Sequence, residues 1–335
     1  MVTLVTGAAG HVGANLVRTL MAQGKPVRAL IHVDCRAVEG LDIETVRGDI
    51  REPGSLDKAF EDVETVYHLA ANVALTTTRE LKTVNVSGTK NVLDACLRHN
   101  VKRIVYFSSI DAVAHNPEVK IIDESCLLVE PERCTTYGQS KAASEREVHR
   151  GLDSGLNIIT VRPTAILGPF DYQPSFFGEV LLLLARGKLP GLVAGGFDWV
   201  DVRDVVQGAI KAEEKAPSGA DYLLSGHWAS IKDIAAMVNN LAGKGIPKFN
   251  CPLWLAGIGA PFATAFARMG KRRPLFTSYS IKTIRGSDHV SHEKATRELG
   301  YEPRPLQCSI EDALNWFSET GQLHLPNNHK YEKLP

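Results

Sequence analysis

The sequence predicts an α/β fold built on a parallel sheet, and two features of its pattern carry that prediction. Short runs rich in β-branched residues alternate with longer helical patterns, as in parallel strands joined by right-handed helical crossovers. The strand-like runs lack regular polar alternation, which is expected when helices cover both faces of a sheet. The predicted strands are Val2–Thr6, Val27–Ile31, Thr45–Arg47, Val66–Leu69, Arg103–Ser108 and Asn157–Arg162, with a late strand at Asp221–Leu224.

The length and the later part of the chain predict a second, smaller region. The 335 residues exceed the usual size of one compact unit. After Arg162 the sequence is crowded with proline and glycine, which indicates that the chain leaves the sheet. We therefore predict a main domain of residues 1–166 plus about 198–224, a discontinuous C-terminal lobe of about 167–197 plus 225–320, and a loosely held tail of 321–335.

The charge and cysteine content narrow the classes of partner. Basic and acidic residues number 38 each, so no net field attracts nucleic acid or an anionic membrane. The six cysteines are scattered without the paired spacing of metal fingers, and His68, His115 and His149 form no pair with metal-ligand spacing. We therefore predict no metal site and no nucleic-acid partner, and we expect a small-molecule substrate.

The sequence also allows predictions about the location of the protein and about membrane-spanning segments. Val2–Thr6 already has the pattern of a strand, so no charged and apolar signal precedes the fold, and a cytoplasmic location is expected. The most apolar stretch, Cys251–Ala267, contains Pro252 and Pro261 and is short for a membrane span. We interpret it as a helix pair of the lobe that covers an apolar site.

A glycine-rich turn follows the first predicted strand. Residues 6–13 read TGAAGHVG and lead into a helical pattern that runs through Leu16 and Leu20. Glycines at a strand-to-helix turn allow a tight bend and a close backbone approach to a pyrophosphate, and the helix N-terminus favours the phosphate charge. The turn therefore predicts dinucleotide binding, with contacts from Gly7, Ala9, Gly10, His11, Val12 and Gly13.

The spacing TGxxGxxG resembles that of the extended short-chain dehydrogenase/reductase family. Further segments agree in order: Gly48-Asp49-Ile50, His68-Leu69-Ala70-Ala71, Asn85-Val86-Ser87-Gly88-Thr89 and Arg162-Pro163-Thr164. The resemblance runs from residue 1 to about 320 and implies a Rossmann-type doubly wound parallel sheet that binds NAD or NADP. It implies further cofactor contacts from Asp49, Ile50, Leu69, Ala70, Ala71, Asn85, Ser108, Pro163, Thr164 and Ala165.

The end of the second strand bears on the choice between NAD and NADP. An acid there binds the ribose hydroxyl of NAD, whereas a cation binds the phosphate of NADP. Ile31 stands where NAD-using relatives usually place their acid, and His32 stands where NADP-using reductases often carry arginine. Arg36 offers a second cation, while Asp34 keeps NAD open. NADP is therefore favoured over NAD.

Tyr137 and Lys141 form the predicted catalytic pair. They are four residues apart at the start of a predicted helix, which puts them on one face. A phenol with a pKa of about 10 is a poor base at neutral pH, and a neighbouring ammonium is expected to lower that pKa. The resemblance implies that Ser109 is the hydroxyl that binds the substrate oxygen, with Ser108 as the alternative. It also implies that Asn85 supports the lysine through water.

The resemblance leaves more than one activity open. One is reduction of an apolar carbonyl compound, as in dihydroflavonol reductases and 3β-hydroxysteroid dehydrogenases, and the other is epimerisation of a nucleotide sugar with a retained NAD. Ile110 and Asp111 stand where the sugar dehydratases carry an aspartate-glutamate pair, which disfavours a dehydratase. A dinucleotide sensor without chemistry is disfavoured because such proteins commonly lack the tyrosine and lysine.

Aromatic residues of the lobe favour the apolar substrate. They are suited to lining an apolar pocket, although aromatic residues are also ordinary core, so they favour it only modestly. They are Phe176, Phe177, Trp199, Trp254, Phe262 and Phe266. The resemblance also implies a homodimer formed through helices at about 84–99 and 136–150.

Overall fold

The computed structural model describes residues 2–73, 78–113, 121–130, 135–247, 249–251 and 289–325. Its strands are β1 (Val2–Thr6), β2 (Val27–Ile31), β3 (Glu44–Arg47), β4 (Val63–His68), β5 (Arg103–Phe107), β6 (Ile158–Pro163), β7 (Ala165–Leu167), β8 (Leu192–Val193), β9 (Gly196–Asp201), β10 (Asp221–Leu224), β11 (His227–Ser230) and β12 (Asn250–Cys251). Its α-helices are α1 (His11–Ala22), α2 (Asp57–Phe60), α3 (Thr78–Leu81), α4 (Gly88–Arg98), α5 (Thr136–Asp153), α6 (Phe176–Ala185), α7 (Val202–Lys215), α8 (Ile231–Ala242), α9 (Glu293–Leu299) and α10 (Leu306–Glu319). Shorter turns are 3₁₀-helical at Pro53–Ser55 and Ile110–Ala112 and π-helical at Lys82–Ser87.

Seven parallel strands form the main sheet, in the order β3-β2-β1-β4-β5-β6-β10. The chain winds outward from β1 to β3 and then crosses back to β4 on the other side of β1. This order is that of a Rossmann-type doubly wound sheet, so the predicted fold class is confirmed. Ligands of such sheets bind outside the carboxyl ends of the strands, near the point where the order reverses between β1 and β4.

Helices cover both faces of the main sheet because alternate side chains of each strand point to opposite faces. In β5, Val105 and Phe107 join the core beneath α1, α7 and α9, whereas Ile104 and Tyr106 join the core beneath α2, α4 and α5. These side chains are buried, and each fully buried aliphatic or aromatic side chain stabilises the fold by about 1.5–3 kcal/mol relative to an exposed one. The absence of polar alternation in the strand segments follows from this two-sided burial.

A smaller sheet, in the order β7-β9-β11, forms the centre of the lobe. It packs against α6, α8 and α10 around a core that includes Leu181, Trp199, Ile310 and Phe317. The two sheets meet where β6 runs on into β7 through Thr164. Later the chain returns to the main sheet at β10, whose Leu224 pairs with Pro163.

Helix α9 returns to the main domain after the lobe. Ala295 and Leu299 lie in the same core as the α1 and α7 side chains, and Tyr301, just after the helix, joins them. Lys294 on the same helix pairs with Asp221 of β10 at 3.1 Å. The main domain is therefore completed by residues near the end of the chain, while the boundaries between domain and lobe stay a prediction.

The strand bounds in the structure can be compared with those predicted from the sequence. The predicted bounds of β1, β2 and β10 are confirmed, while β4 begins at Val63 and ends at His68 rather than spanning Val66–Leu69. Its start was not predicted because Glu64 and Thr65 are polar and interrupt the apolar pattern. Beyond its end, the Leu69 amide still donates to the Thr6 carbonyl at 3.2 Å, so Leu69 stays beside β1. Strand β5 ends at Phe107, one residue before the predicted Ser108.

Within the described ranges, no helix combines the length and the apolar character needed to cross a membrane. The predicted helix pair at Cys251–Ala267 lies outside the described residues apart from Cys251, and so does the tail from residue 326.

Candidate active site

The turn between β1 and α1 has the backbone geometry of a phosphate cradle. Gly7 has a φ of +71°, and a Cβ there would lie 2.7 Å from the Ala70 nitrogen. A Cβ on Gly13 would lie 2.2 Å from the Gly7 oxygen, so only glycine lets α1 begin this close to the turn. No side chain caps the first turn of α1 at Gly10. Its amide groups therefore remain available to an anion, and these residues fit the pyrophosphate of a dinucleotide.

His68 holds the segment that follows β4 beside this turn. Its Nδ1 lies 2.8 Å from the Thr6 hydroxyl oxygen and its Nε2 lies 3.0 Å from the Thr89 hydroxyl oxygen. The Thr6 hydroxyl also accepts hydrogen bonds from the amides of Leu69 and Ala70, each at 3.2 Å. Burial, with a smaller contribution from the charge of Lys141, lowers the pKa of His68 to about 3, so the ring is neutral. It places Leu69, Ala70 and Ala71 at the carboxyl edge of the sheet.

The residues near the end of β2 form two ion pairs. Arg36 binds Asp34 (Nε to Oδ2, 3.0 Å), and Gln173 of the lobe donates to the same carboxylate. Arg51 binds Asp49 (Nε to Oδ2, 2.9 Å), and the His32 ring lies 3.1 Å from Asp49. The hydrogen bonds from Arg36 and Arg51 hold the pKa values of the two aspartates below their usual range. Sequence reasoning missed Arg51, because its distance from β2 along the chain conceals its position beside His32.

Ile50 has a packing role in the structure. Its side chain is buried and lies against Gly88, where an added Cβ would come within 2.5 Å of it. Its carbonyl accepts a hydrogen bond from Asn91 at 2.8 Å. These contacts fix the turn after β3 against α4.

The start of α5 packs directly on the turn that follows β5. Thr135 caps the helix by accepting the Gly138 amide at 3.0 Å, and a Cβ on Gly138 would lie 2.5 Å from the Asp111 carbonyl oxygen. In the same turn, Ser109 caps the 3₁₀ helix by accepting the Asp111 amide at 3.1 Å. This close approach places the Tyr137 phenol next to the Ser109 hydroxyl.

The two serines after β5 have different partners. The Ser108 hydroxyl donates to Glu145 at 2.5 Å, on the inner side of α5, whereas Ser109 contacts Tyr137. Between the two alternatives that the sequence left open, this arrangement favours Ser109 as the hydroxyl that meets a substrate oxygen.

The electrostatics of the pair include more than the expected lowering of the Tyr137 pKa by Lys141. Burial raises the pKa of the phenol and the Asp111 carboxylate raises it further, while the Ser109 hydrogen bond opposes them. Lys141 is 4% exposed and donates to the Phe107 carbonyl at 2.8 Å. Burial lowers its pKa to about 8, opposed by the charge of Glu145. Desolvation and Asp111 therefore set the direction of the Tyr137 shift in this geometry, and the lowering by Lys141 stays a prediction.

The Asn85 side chain hydrogen-bonds to protein groups, and its water-mediated support of Lys141 stays a prediction. Its amide nitrogen donates to the Ser140 hydroxyl at 2.9 Å and to the Asn72 carbonyl at 3.0 Å, and its oxygen accepts the Asn72 amide at 2.7 Å. Both amide protons are therefore used. The side chain ties the segment after β4 to α5.

Residues Pro163–Ala165 lie beside the catalytic pair. Strands β5 and β6 are parallel neighbours, and the Ser108 amide donates to the Val161 carbonyl at 2.8 Å, so both strands end at the same edge. The Thr164 hydroxyl donates to the buried Asp198 of the lobe at 2.7 Å. This carboxylate was not identified from the sequence, because its contact joins two sheets.

The chain from Pro169 to Gln173 lies on the outer side of α1. The Pro169 carbonyl lies 3.0 Å from His11 Nε2 and accepts a hydrogen bond from Asn15 at 2.9 Å. Arg18, one turn further along, donates to the Tyr172 hydroxyl at 2.8 Å. The predicted cofactor residue His11 therefore also joins the nucleotide turn to the lobe.

Residues 3–225 match the NAD dependent epimerase/dehydratase family, which is two thirds of the chain. The chain belongs to this family. Over this range it carries the glycine-rich turn, the Ser109-Tyr137-Lys141 constellation and the Pro163–Ala165 segment described above. It is an enzyme of the extended short-chain dehydrogenase/reductase type, with the Rossmann-type fold of these oxidoreductases.

Curated members of the family resemble the chain over nearly its whole length. Sterol demethylase protein B of Methylococcus capsulatus is 37% identical over 331 residues, covering 96% of this chain and 100% of that protein. A protein of Synechocystis sp. whose name describes a dihydroflavonol 4-reductase is 32% identical, covering 95% of this chain and 94% of that protein.

Solved structures agree with the fold. The crystal structure of gox2253 has a TM-score of 0.84 and 32% sequence identity, and the match covers 96% of this chain and 99% of that chain. The UDP-glucose 4-epimerase of Thermus thermophilus, solved in complex with NAD, has a TM-score of 0.76 at 22% identity, covering 95% and 99% of the two chains. This second likeness concerns the fold alone.

The structure describes three of the six aromatic residues that were predicted to line an apolar pocket. Trp199 is 2% exposed, packs edge-on against Phe177 with ring centroids 4.7 Å apart, and donates to the Ala229 carbonyl at 2.9 Å. Between a pocket wall and ordinary core, the structure therefore places Trp199 in the lobe core. Phe176 and Phe177 are half-buried. Trp254, Phe262 and Phe266 lie outside the described residues.

Proposed function

We propose that this enzyme interconverts a carbonyl group and a secondary alcohol on an apolar small molecule, with NADP or NAD as the hydride carrier. The observation that carries the proposal is the contact between Tyr137 and Ser109 at the carboxyl edge of the sheet, with Lys141 on the same helix face. A hydroxyl donor and a phenol that share one site can hold a single substrate oxygen between them.

The residues divide the work of carbonyl reduction. Ser109 orients the carbonyl oxygen, and Tyr137 donates its proton to that oxygen as the carbon receives a hydride, so that a secondary alcohol results. Because burial raises the pKa of Tyr137, the phenol holds its proton at neutral pH and is prepared to act as the acid. When bound, the dinucleotide supplies the hydride in this direction and accepts it in the reverse direction. Lys141, with a pKa of about 8, is mostly cationic at pH 7.

The names of relatives support an apolar, ring-containing substrate. Besides the sterol demethylase protein B, they include a 3-beta-hydroxysteroid dehydrogenase of Mycolicibacterium neoaurum, which is 29% identical over 90% of this chain. A ketoreductase of Stigmatella aurantiaca, 27% identical over 98% of this chain, is named for a farnesylated dihydroquinoline oxide. We infer a ketone or alcohol of comparable polarity for this chain.

The ion pairs beyond β2 support NADP as the preferred cofactor. His32, Arg36 and Arg51 place cationic or ionisable groups at this end of the site, while both nearby carboxylates are engaged. Gln173 and Arg36 together occupy the Asp34 carboxylate, which would otherwise bind a ribose hydroxyl. We expect NADPH to bind more tightly than NADH in a fluorescence titration, with an Arg36→Ala variant losing most of the difference.

Mass spectrometry of nucleotide released from denatured protein tests the class of reaction. An empty site that NADPH fills on titration, followed by oxidation of NADPH in the presence of a 3-ketosteroid or a dihydroflavonol, supports the proposal. Stoichiometric retained NAD, with turnover of UDP-glucose and none of the ketones, would instead identify a nucleotide-sugar epimerase. Tyr137→Phe serves as the matched inactive control in each assay.

A further inference from the structure

One carboxylate lies at the centre of the site without a role in the scheme above. Glu145 is on α5, one turn beyond Lys141, and is 1% exposed. Its Oε1 accepts hydrogen bonds from the Ser108 hydroxyl at 2.5 Å and from Arg162 Nε at 2.9 Å. Its Oε2 accepts a further hydrogen bond from Arg162 Nη2 at 2.8 Å. The carboxylate therefore has donors on both oxygens.

These partners come from the segments that carry the reacting groups. Ser108 directly precedes Ser109, and Arg162 directly precedes Pro163–Ala165. Glu145 itself belongs to the helix of Tyr137 and Lys141. One buried carboxylate thus connects the ends of β5 and β6 to the catalytic helix.

Stability alone does not account for an ion pair at this position. Removing a carboxylate and a guanidinium from water costs free energy that their attraction only partly recovers, and apolar residues of similar volume often stabilise a fold as well or better. The ion pair does provide fixed geometry, because the planar guanidinium binds the carboxylate through two hydrogen bonds. Fixed positions of the segments that this ion pair joins are therefore the stronger explanation for its presence beside the site.

We propose that Glu145 is a positioning residue, which sets the placement of Ser109, Lys141 and Pro163–Ala165 relative to one another and supplies the counter-charge of Lys141. The roles of Ser109 and Lys141 rest on the proposed function, whereas the counter-charge does not. Burial lowers the pKa of Lys141 and Glu145 opposes that lowering, in agreement with the geometry.

Within the described residues, Lys141 lies near groups of three elements. The Tyr106 ring (5.3 Å from Nζ to the centroid) and the Phe107 carbonyl belong to β5, the neutral His68 ends β4, and Glu145 lies on its own helix. Asp111 acts on Tyr137, and Arg162 of β6 pairs with Asp221 of β10, which Lys294 also contacts. Glu145 is the acid that raises the pKa of Lys141.

The test uses the full chain and a double variant, Glu145→Gln with Arg162→Met. Glu145→Gln alone leaves the buried Arg162 guanidinium with Asp221 but facing a neutral amide, which destabilises the fold, whereas the double variant removes both charges of the pair and leaves Asp221 with Lys294. Glu147→Gln is the matched control, because it makes the same change on the same helix at a half-exposed residue that pairs with Arg150 at 2.9 Å. Circular dichroism and thermal unfolding establish that each variant is folded.

The first measurement is the titration of Lys141 followed by NMR of lysine labelled with ¹³C at Cε, assigned with Lys141→Arg. We expect a midpoint near pH 8 in the wild type and in Glu147→Gln, and a midpoint lower by about one unit in the double variant. This measurement needs no substrate, so it decides the counter-charge even if no ketone is turned over. An unchanged midpoint in the folded double variant overturns the counter-charge.

The second measurement separates placement from stability. With NADPH and a ketone that the wild type reduces, we expect the double variant to lose about tenfold or more in kcat while KM for NADPH changes by less than about twofold. Ser108→Ala, which removes one contact and no charge, should lower kcat without moving the Lys141 midpoint. A folded double variant with wild-type kcat refutes the positioning role. Absence of turnover by the wild type refutes the proposed function, and with it the positioning role.

Discussion

Gly138 offers the sharpest test of how the catalytic pair is assembled. A Cβ at this position would lie 2.5 Å from the Asp111 carbonyl oxygen, whereas ordinary van der Waals contact begins at 3.4 Å. Gly138→Ala must therefore move α5 away from the turn after β5 by about 0.9 Å, the difference between these distances. The obstacle is backbone, so a side-chain rotation cannot relieve it. The same movement separates Tyr137 from Ser109.

The expected consequence concerns both activity and stability. A displacement of about 1 Å at a reacting group can lower turnover by about 10²-fold. Overpacking of this kind costs about 1–3 kcal/mol in the free energy of unfolding. We expect kcat for ketone reduction to fall by about that factor, and the denaturation midpoint to fall in proportion, while NADPH affinity changes little because the glycine-rich turn lies elsewhere.

The assay combines steady-state kinetics with urea denaturation of Gly138→Ala and a matched control. Gly54→Ala is suited to that purpose, because a Cβ on Gly54 meets no atom within 4 Å and the residue lies in a surface 3₁₀ turn. The control should keep wild-type turnover and stability. Gly138→Ala with wild-type kcat and an unchanged midpoint would refute the claim that close approach at this glycine assembles the site.

Three further predictions concern the site. Tyr137→Phe should lower kcat by about 10²- to 10⁴-fold while leaving the dissociation constant for NADPH within about twofold, and retained turnover would remove the phenol from the mechanism. The pH profile of kcat/KM should fall as pH rises through about 8, because Lys141 loses its proton there; a decline beginning only near pH 10 would contradict that assignment. His68 has a folded-state pKa of about 3 against an ordinary 6.5, so the unfolded state binds the extra proton as pH falls below 6.5. The free energy of unfolding should therefore decrease more steeply for the wild type than for His68→Gln between pH 6 and 4, by up to about 1.4 kcal/mol per pH unit, and equal slopes in urea titrations would show that His68 is not buried neutral.

The local sequence pattern was sufficient to predict those features that depend on residues close together in the chain. Alternating strand and helix segments predicted the doubly wound sheet, and the strand-turn-helix context of residues 2–20 predicted the glycine turn that the structure forms. The spacing of Tyr137 and Lys141 predicted a shared helix face, and both lie on α5. These features depend on periodicity and turn chemistry, which a sequence displays directly.

Contacts between distant segments were not predictable in the same way. Glu145 and Arg162 are 17 residues apart and meet only because β6 lies beneath α5, and Thr164 reaches Asp198 across the junction of two sheets. The raised pKa of Tyr137 had the same origin, since burial and Asp111 are properties of the packed site. The sequence left the place of Trp199 open, because aromatic composition does not distinguish a lobe core from a pocket wall.

The placement of α9 has a consequence for dividing this enzyme into parts. Ala295, Leu299 and Tyr301 complete a core whose other buried members precede residue 225, and Lys294 pairs with Asp221. A fragment ending after β10 would leave α7 and the edge strand uncovered. The nucleotide-binding half is therefore expected to be insoluble when expressed alone, and exchange of substrate specificity between relatives will require grafting internal lobe segments rather than joining N-terminal and C-terminal halves.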